Sequence, residues 1–252
     1  MVPQRWRPAI QTIPPLNLAA AAIPALLVIV VLWRWRAGAT DGLIALVRMV
    51  AQLLLIGYVL VYIFEADTPW IVLAVIAVMV VAASWIALRT IADLRRGLFR
   101  IVFTSVLIGG GLTLTLITQG VLTLDPWYEP SVTVPLAGMI FAASMNAISI
   151  GAERVFAEVN RGTEFEQARS IALQAGLIPI TNSLLAVGLV SLPGFMTGQI
   201  LSGVSPLIAV RYQVMVMCMI FGASGLSASL FLALLERHPS LKTVATAPEP
   251  AA

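Results

Sequence analysis

Seven apolar runs, each about as long as a helix must be to cross a bilayer, account for most of this chain. They cover residues 16–32, 43–64, 70–88, 101–122, 132–150, 175–192 and 207–235. None shows the strict apolar–polar alternation of a membrane β-barrel strand. The chain has 252 residues, 60% of them hydrophobic and 11% charged, where soluble domains run near about 25% charged. A water-soluble fold would therefore expose apolar surface almost everywhere. The expected fold is all-α: a polytopic transmembrane helix bundle of about seven spans, embedded in the lipid bilayer as a single domain over residues 1–240, with a disordered tail over 241–252. The basic start, MVPQRWRPAIQTIPP, leads into a run that ends in the anchor WRWR at 33–36. No small-residue cleavage site follows, so the first span is read as retained.

Arginine placement sets the orientation. Arg34, Arg36 and Arg48 flank the first connection, Arg89, Arg95, Arg96 and Arg100 fill the third, and Arg154, Arg161 and Arg169 lie in the fifth. Arg237 and Lys242 follow the last span. The second and fourth connections have Glu65, Asp67, Asp125 and Glu129 without a basic residue. The arginine-bearing connections and the C-terminus are accordingly placed in the cytosol and the N-terminus outside, with Arg5 and Arg7 dissenting. Basic membrane loops explain the net charge of +3, which gives no reason to expect nucleic acid.

The most informative stretch is 153–203. It opens with the longest polar run, GAERVFAEVNRGTEFEQARS, and continues as an apolar segment broken by Pro179, Asn182, Ser191, Pro193, Gly194, Thr197 and Gln199. Polar and Pro/Gly-broken segments at membrane depth are expected where a protein lines a path or moves. The candidate path residues are Asn146, Asn182, Ser191, Pro193, Gly194, Met196, Thr197 and Gln199. The Leu-Pro-Gly at 192–194 either ends a helix or forms a re-entrant turn, and Asn146 is either a path group or an interface amide. In the second span Asp41, Ala45, Arg48, Gln52 and Leu55 recur at helical spacing. That stripe turns Arg48 and Gln52 toward other helices, unless Arg48 snorkels to the cytosolic surface. Gly109, Gly110 and Gly111 in the fourth span mark a close approach to a neighbouring helix or a bend.

Several chemistries are excluded. The only lysine is Lys242, so no phosphate-binding loop with its lysine is present. No span holds a central Asp or Glu, which disfavours a self-sufficient proton antiporter. A single histidine, His238, leaves no His-based triad or HExxH zinc site. Cys218 is the only cysteine, so no intramolecular disulfide forms. Met215, Met217 and Met219 point around a helix and not to one face, so no metal site is assigned. What remains is an uncharged polar path without an energy source of its own: a passive channel, a structural subunit, or a permease driven by a separate motor.

At this point the residues resemble a known family. GLVSLPGFMTGQILSG at 188–203, Pro206 with AVRYQV at 209–214, GLIPITNS at 176–183, GYVLVYIF at 57–64 and PLAGMI at 135–140 are similar to the FetB (YbbM) family of ABC-transporter permeases. The resemblance implies an inner-membrane permease subunit that moves iron or another metal in the export direction, paired with a cytosolic ABC ATPase that binds the ATP. This chain itself would then carry no cofactor and no catalytic or metal site, and would act as a homodimer. The resemblance also implies that RGTEFEQA at 161–168 stands where the family has its ATPase-coupling segment, which assigns Gly162, Thr163, Glu166 and Ala168 to coupling within a cytosolic loop at about 153–175. Two departures stand out. Ala142 and Ala143 replace a Gly-Asn usual in the fifth span, and the cytosolic loop is shorter than usual. They favour an alternative, a divergent membrane scaffold or interaction subunit without a transport cycle.

Overall fold

The computed structural model describes residues 13–65 and 68–239. The tail at 241–252 lies outside the described residues, as do Arg5, Arg7, Asp67 and Lys242. Regular structure among the described residues is helical, apart from one isolated bridge between Val187 and Ser191. The chain divides into two compact units, Met1–Ala66 and Asp67–Ala252.

The first unit holds α1 (Pro15–Ala21), α2 (Ile23–Arg34) and α3 (Ala39–Phe64). Pro24 sits in the first turn of α2, and the helix is interrupted at Ala22 just before it. Proline fits a first turn because its missing N–H has no intrahelical partner there. The large apolar side chains of α2 and α3 are mostly exposed, as a helix surface that faces lipid requires.

The second unit holds α4 (Pro69–Ala87), a 3₁₀ reversal (Leu88–Leu94), α5 (Arg95–Ser105), α6 (Gly111–Thr115), α7 (Pro130–Asn160), α8 (Phe165–Ala186), α9 (Gly194–Leu201) and α10 (Pro206–Leu235). Short π-helical turns at Val106–Gly110 and Leu116–Val121 flank α6. Pro69, Pro130 and Pro206 each occupy the first turn of their helix. Five stretches are long and apolar enough to cross a membrane. One of them, Pro69–Val121, reverses at Ile91, whose φ of −123° and ψ of 55° leave the helical region. α4 packs against α5, so this stretch is two spans. Arg95 closes the reversal, with Nε and Nη2 donating to the Trp85 carbonyl and the guanidinium 3.7 Å over the Trp85 ring. With α8, whose 22 residues reach about 33 Å, the chain is an all-α polytopic transmembrane bundle of about seven spans.

α7 is the centre of the second unit, packing against α4, α8 and α10. Two of the three glycines expected to mark a close approach or a bend lie against a neighbouring helix. A Cβ on Gly109 would lie 2.5 Å from Ser227 Oγ and 2.7 Å from Ser227 N, and one on Gly110 would lie 2.9 Å from the Phe141 ring. Gly111 has open space around it. Gly176 brings α8 against α7, where its Cβ would meet the Ala147 carbonyl at 2.6 Å.

Two boundaries differ from the sequence expectation. The fifth span does not stop near 150, because α7 continues to Asn160 and α8 begins at Phe165. At 31 residues α7 is about 46 Å long, longer than the ~30 Å hydrocarbon core, so its charged last turns leave the lipid while remaining helical. At the other end, α8 stops at Ala186, and Pro193 caps the start of α9 instead of ending a helix.

A polar seam and a capped turn as the candidate functional site

α7 and α10 run in the same direction. A cavity of about 390 Å³ joins their starts, with Ser131 and Pro135 on one side and Ile208 and Tyr212 on the other. Farther along, Ser144 Oγ lies 3.3 Å from the Ala223 carbonyl and Ser227 Oγ donates to Ser144 Oγ at 3.0 Å. Beyond that contact a second cavity, about 160 Å³, opens between α7, α8 and α10 and is lined by Asn146, Gly176, Pro179, Ser183 and Ser224. Pro179 supplies no N–H to the carbonyl four residues earlier. Ser183 Oγ bonds to the Pro179 carbonyl at 2.9 Å. The two cavities are separated by about 10 Å along α7, counted from Leu136 to Ala143.

Polar groups recur along this seam without charge. Near its start, Thr133 Oγ1, Gln199 Oε1 and Gln213 Oε1 are buried without a hydrogen-bond partner. Of the three, only Gln199 lines the first of the two cavities. The remaining hydroxyls of the neighbouring helix are not free in this way. Thr113, Thr115 and Thr118 each donate to the carbonyl four residues earlier, which satisfies them locally.

The expected path residues fall into separate places. Asn146 lines the inner cavity and Gln199 the outer one. Asn182 is exposed on α8 and lines neither. Ser191 pairs with Val187 in the tight turn after α8. Pro193 and Gly194 start α9, where Thr197 Oγ1 donates back to the Pro193 carbonyl at 3.1 Å and Met196 is half-buried. Arg48 and Gln52 are exposed on α3. On α10, Met219 is buried while Cys218 is exposed, so the sulfurs there diverge. Among the described residues no group of three His, Cys, Asp or Glu is placed to hold a metal.

The other part of the site is the α7–α8 turn, at the end of the unit where the arginines gather. Gly162 has φ +82°. The N–H of Gly162 bonds to the Val159 carbonyl and that of Thr163 to the Glu158 carbonyl, the pairing that ends a helix through a left-handed residue. Glu158 then fixes the turn from below. Its carboxylate is 2.8 Å from Arg154 Nη2 and 3.4 Å from Arg161 Nη1, and it accepts the Thr163 hydroxyl at 3.1 Å. Glu158 is 7% exposed, so these partners stand in for water. Arg169 Nη1 lies 3.4 Å from Glu236 Oε2, which ties the start of α8 to the end of α10. Of the four expected coupling residues, Gly162 and Thr163 build the turn, Glu166 is exposed, and Ala168 is fully buried in the core. The surface offered by the turn is thus Arg161, Gly162, Glu164 and Glu166. Sequence reading missed Glu158, although Arg154 four residues earlier is the spacing of a helical ion pair. It also missed Thr133 and Gln213, which carry no local signal.

Comparison with known proteins places this architecture. A family model described as an uncharacterised protein family, UPF0014, matches residues 15–239. A UPF0014 membrane protein of Synechocystis is 34% identical over 76% of this chain and 80% of its own length. The probable iron export permease protein FetB of Escherichia coli is 32% identical over 71% of this chain and 74% of its own. The UPF0014 membrane protein YjkA of Bacillus subtilis is 32% identical over 91% and 96%. No solved structure matches. The chain is a multi-pass membrane protein that belongs to the UPF0014 family.

Proposed function

We propose that this chain is the membrane-spanning permease subunit of an ABC transporter, working as a homodimer in a bacterial inner membrane with a separate cytosolic ATPase. ATP would be bound and hydrolysed in that partner, with no cofactor in this chain. The observation that carries the proposal is the pairing of a polar, uncharged α7–α10 seam with a rigid turn at its arginine-rich end. α7 spans both: its first half lines the seam and its last turn forms the platform at 161–164. A push on the turn therefore reaches the seam through one helix. Asn182 and Asn146 are exposed at membrane depth, where polar groups avoid lipid, and a second copy of the chain supplies the cover. The outward direction and a metal cargo, iron among them, rest on the likeness to the Escherichia coli permease. The seam would hold such a cargo weakly through neutral oxygens, as a carrier must release it.

The test is ATP-dependent transport. The chain is co-expressed with an ABC ATPase encoded beside it, and the complex is reconstituted in vesicles with ATP on the turn side. Metal uptake that needs both subunits supports the proposal, and a protein that neither binds the ATPase nor moves metal refutes it. One observation favours the scaffold reading. Ala143 lines the inner cavity, so the family's usual polar group at 142–143 is missing from its wall. A protein that binds the ATPase but stays inactive after Ala143→Asn would support that reading.

A further inference from the structure

α2, α7 and α9 end in the same way. In each, the N–H two residues past the cap bonds back to the carbonyl three residues before the cap: Ala37 to Leu32 at 2.8 Å, Thr163 to Glu158 at 3.1 Å and Val204 to Gln199 at 3.0 Å. This motif needs a left-handed residue immediately after the cap, and glycine normally supplies it. α7 uses Gly162 at φ +82° and α9 uses Gly203 at φ +94°. α2 uses Arg36 at φ +54°, where a side chain costs about 1–2 kcal/mol relative to glycine. The position is held by an arginine against the local preference that the same chain follows elsewhere.

Arg36 lines a cavity of about 590 Å³ at the α2–α3 connection, together with Trp33, Arg34, Gly38 and Thr40. The guanidinium groups of Arg34 and Arg36 have no hydrogen-bond or ion-pair partner among the described residues, and Asp41 does not line the cavity. Trp33 is 73% and Trp35 77% exposed. Tryptophans of this kind settle at the level of lipid headgroups, which sets the depth of the cavity. By the arginine distribution this end faces the cytosol, the leaflet that carries anionic lipid.

From these observations we infer that the α2–α3 connection is a binding site for the phosphate of an anionic phospholipid in the inner leaflet. Arg34 and Arg36 hold the phosphate as donors, the tryptophans flank the glycerol region, and the exposed apolar faces of α2 and α3 lie along the acyl chains. The left-handed turn aims two arginines that stand two residues apart into one cavity. The inference does not depend on the transport reading, and it concerns residues outside the seam and the coupling turn.

Full-length protein in detergent is titrated with phosphatidylglycerol and with phosphatidylcholine, and bound lipid is counted by native mass spectrometry. Phosphatidylglycerol binds preferentially to the wild type. Arg34→Gln and Arg36→Gln each weaken it about fivefold, and the pair about thirtyfold. Arg237→Gln removes a charge on the same side and leaves the tight lipid in place. Arg36→Gly loses lipid as Arg36→Gln does, yet raises the unfolding midpoint in phosphatidylcholine by about 2–4 °C through relief of the turn. Unchanged lipid binding in the double variant overturns the site. So does an Arg237→Gln loss as large as that of Arg36→Gln, which would mean diffuse charge attraction. Displacement of the lipid by excess inorganic phosphate overturns the lipid assignment in favour of a free anion. A less stable Arg36→Gly protein overturns the claim that Arg36 is kept for a ligand.

Discussion

Three neighbouring glycines show how differently adjacent residues act in this bundle. A methyl group at Gly109 has nowhere to go, since Ser227 backbone and side-chain atoms lie within 3 Å of it. Gly109→Ala should cost about 1–3 kcal/mol through forced separation of two helices. Gly111→Ala meets nothing within 4 Å and should be neutral or stabilise by up to about 1 kcal/mol through helix propensity. Thermal unfolding in detergent separates the two, and equal shifts would contradict the packing. Glu158 is the second single residue with a large expected effect. Glu158→Ala takes the shared carboxylate from Arg154, Arg161 and Thr163 and should destabilise by about 1–3 kcal/mol, with Glu158→Gln intermediate because its amide oxygen still accepts the Thr163 hydroxyl. The same unfolding measurement checks the order.

Among the elements, α9 and the α7–α8 hairpin make opposite demands. α9 is an eight-residue helix between Pro193 and Gly203, lying over the outer cavity through Phe195 and Gln199. If it is the hinge of that cavity, Pro193→Ala with Gly194→Ala should lower transport severalfold without changing ATPase binding. Transport at the wild-type rate would remove α9 from the mechanism. The hairpin, by contrast, is rigid by construction, and its demands were partly legible beforehand. The glycine at 162 and the charge run around it pointed to a turn at the right place. The continuation of α7 through 151–160 was not legible, because charge density alone reads as loop, whereas Arg154 and Glu158 satisfy one another on a helix that has left the lipid. Likewise Pro193 left a helix end and a re-entrant turn open, because proline breaks helices, whereas here it stands as the extended cap residue just before α9.

At the scale of the whole molecule, hydropathy alone carried the fold. Seven apolar runs became seven spans, since backbone groups in lipid leave a helix few alternatives. The seam was less legible. Thr133 on α7 and Gln213 on α10 are both buried, and no local sequence pattern reports which helices cover them. Asn182 was legible as polar but not as outward-facing, and that exposure argues for a second copy of the chain. With Cys218 replaced by serine, Asn182→Cys should form an oxidative cross-link between copies in membranes, read as a dimer band on a non-reducing gel. A cysteine at Leu226, also exposed but on α10, serves as the comparison, and equal cross-linking of both would argue against a defined interface.

The central claim is that the α7–α8 turn couples this subunit to a motor. It is tested most directly by a detergent pull-down of the intact protein beside a variant in which residues 161–164 are replaced by a Gly/Ser linker, leaving α7 and α8 whole. The account predicts that an ABC ATPase accompanies the intact protein and is lost from the variant while both remain folded. An ATPase retained by the variant would contradict the assigned turn, and its absence from both would contradict the motor-driven permease itself.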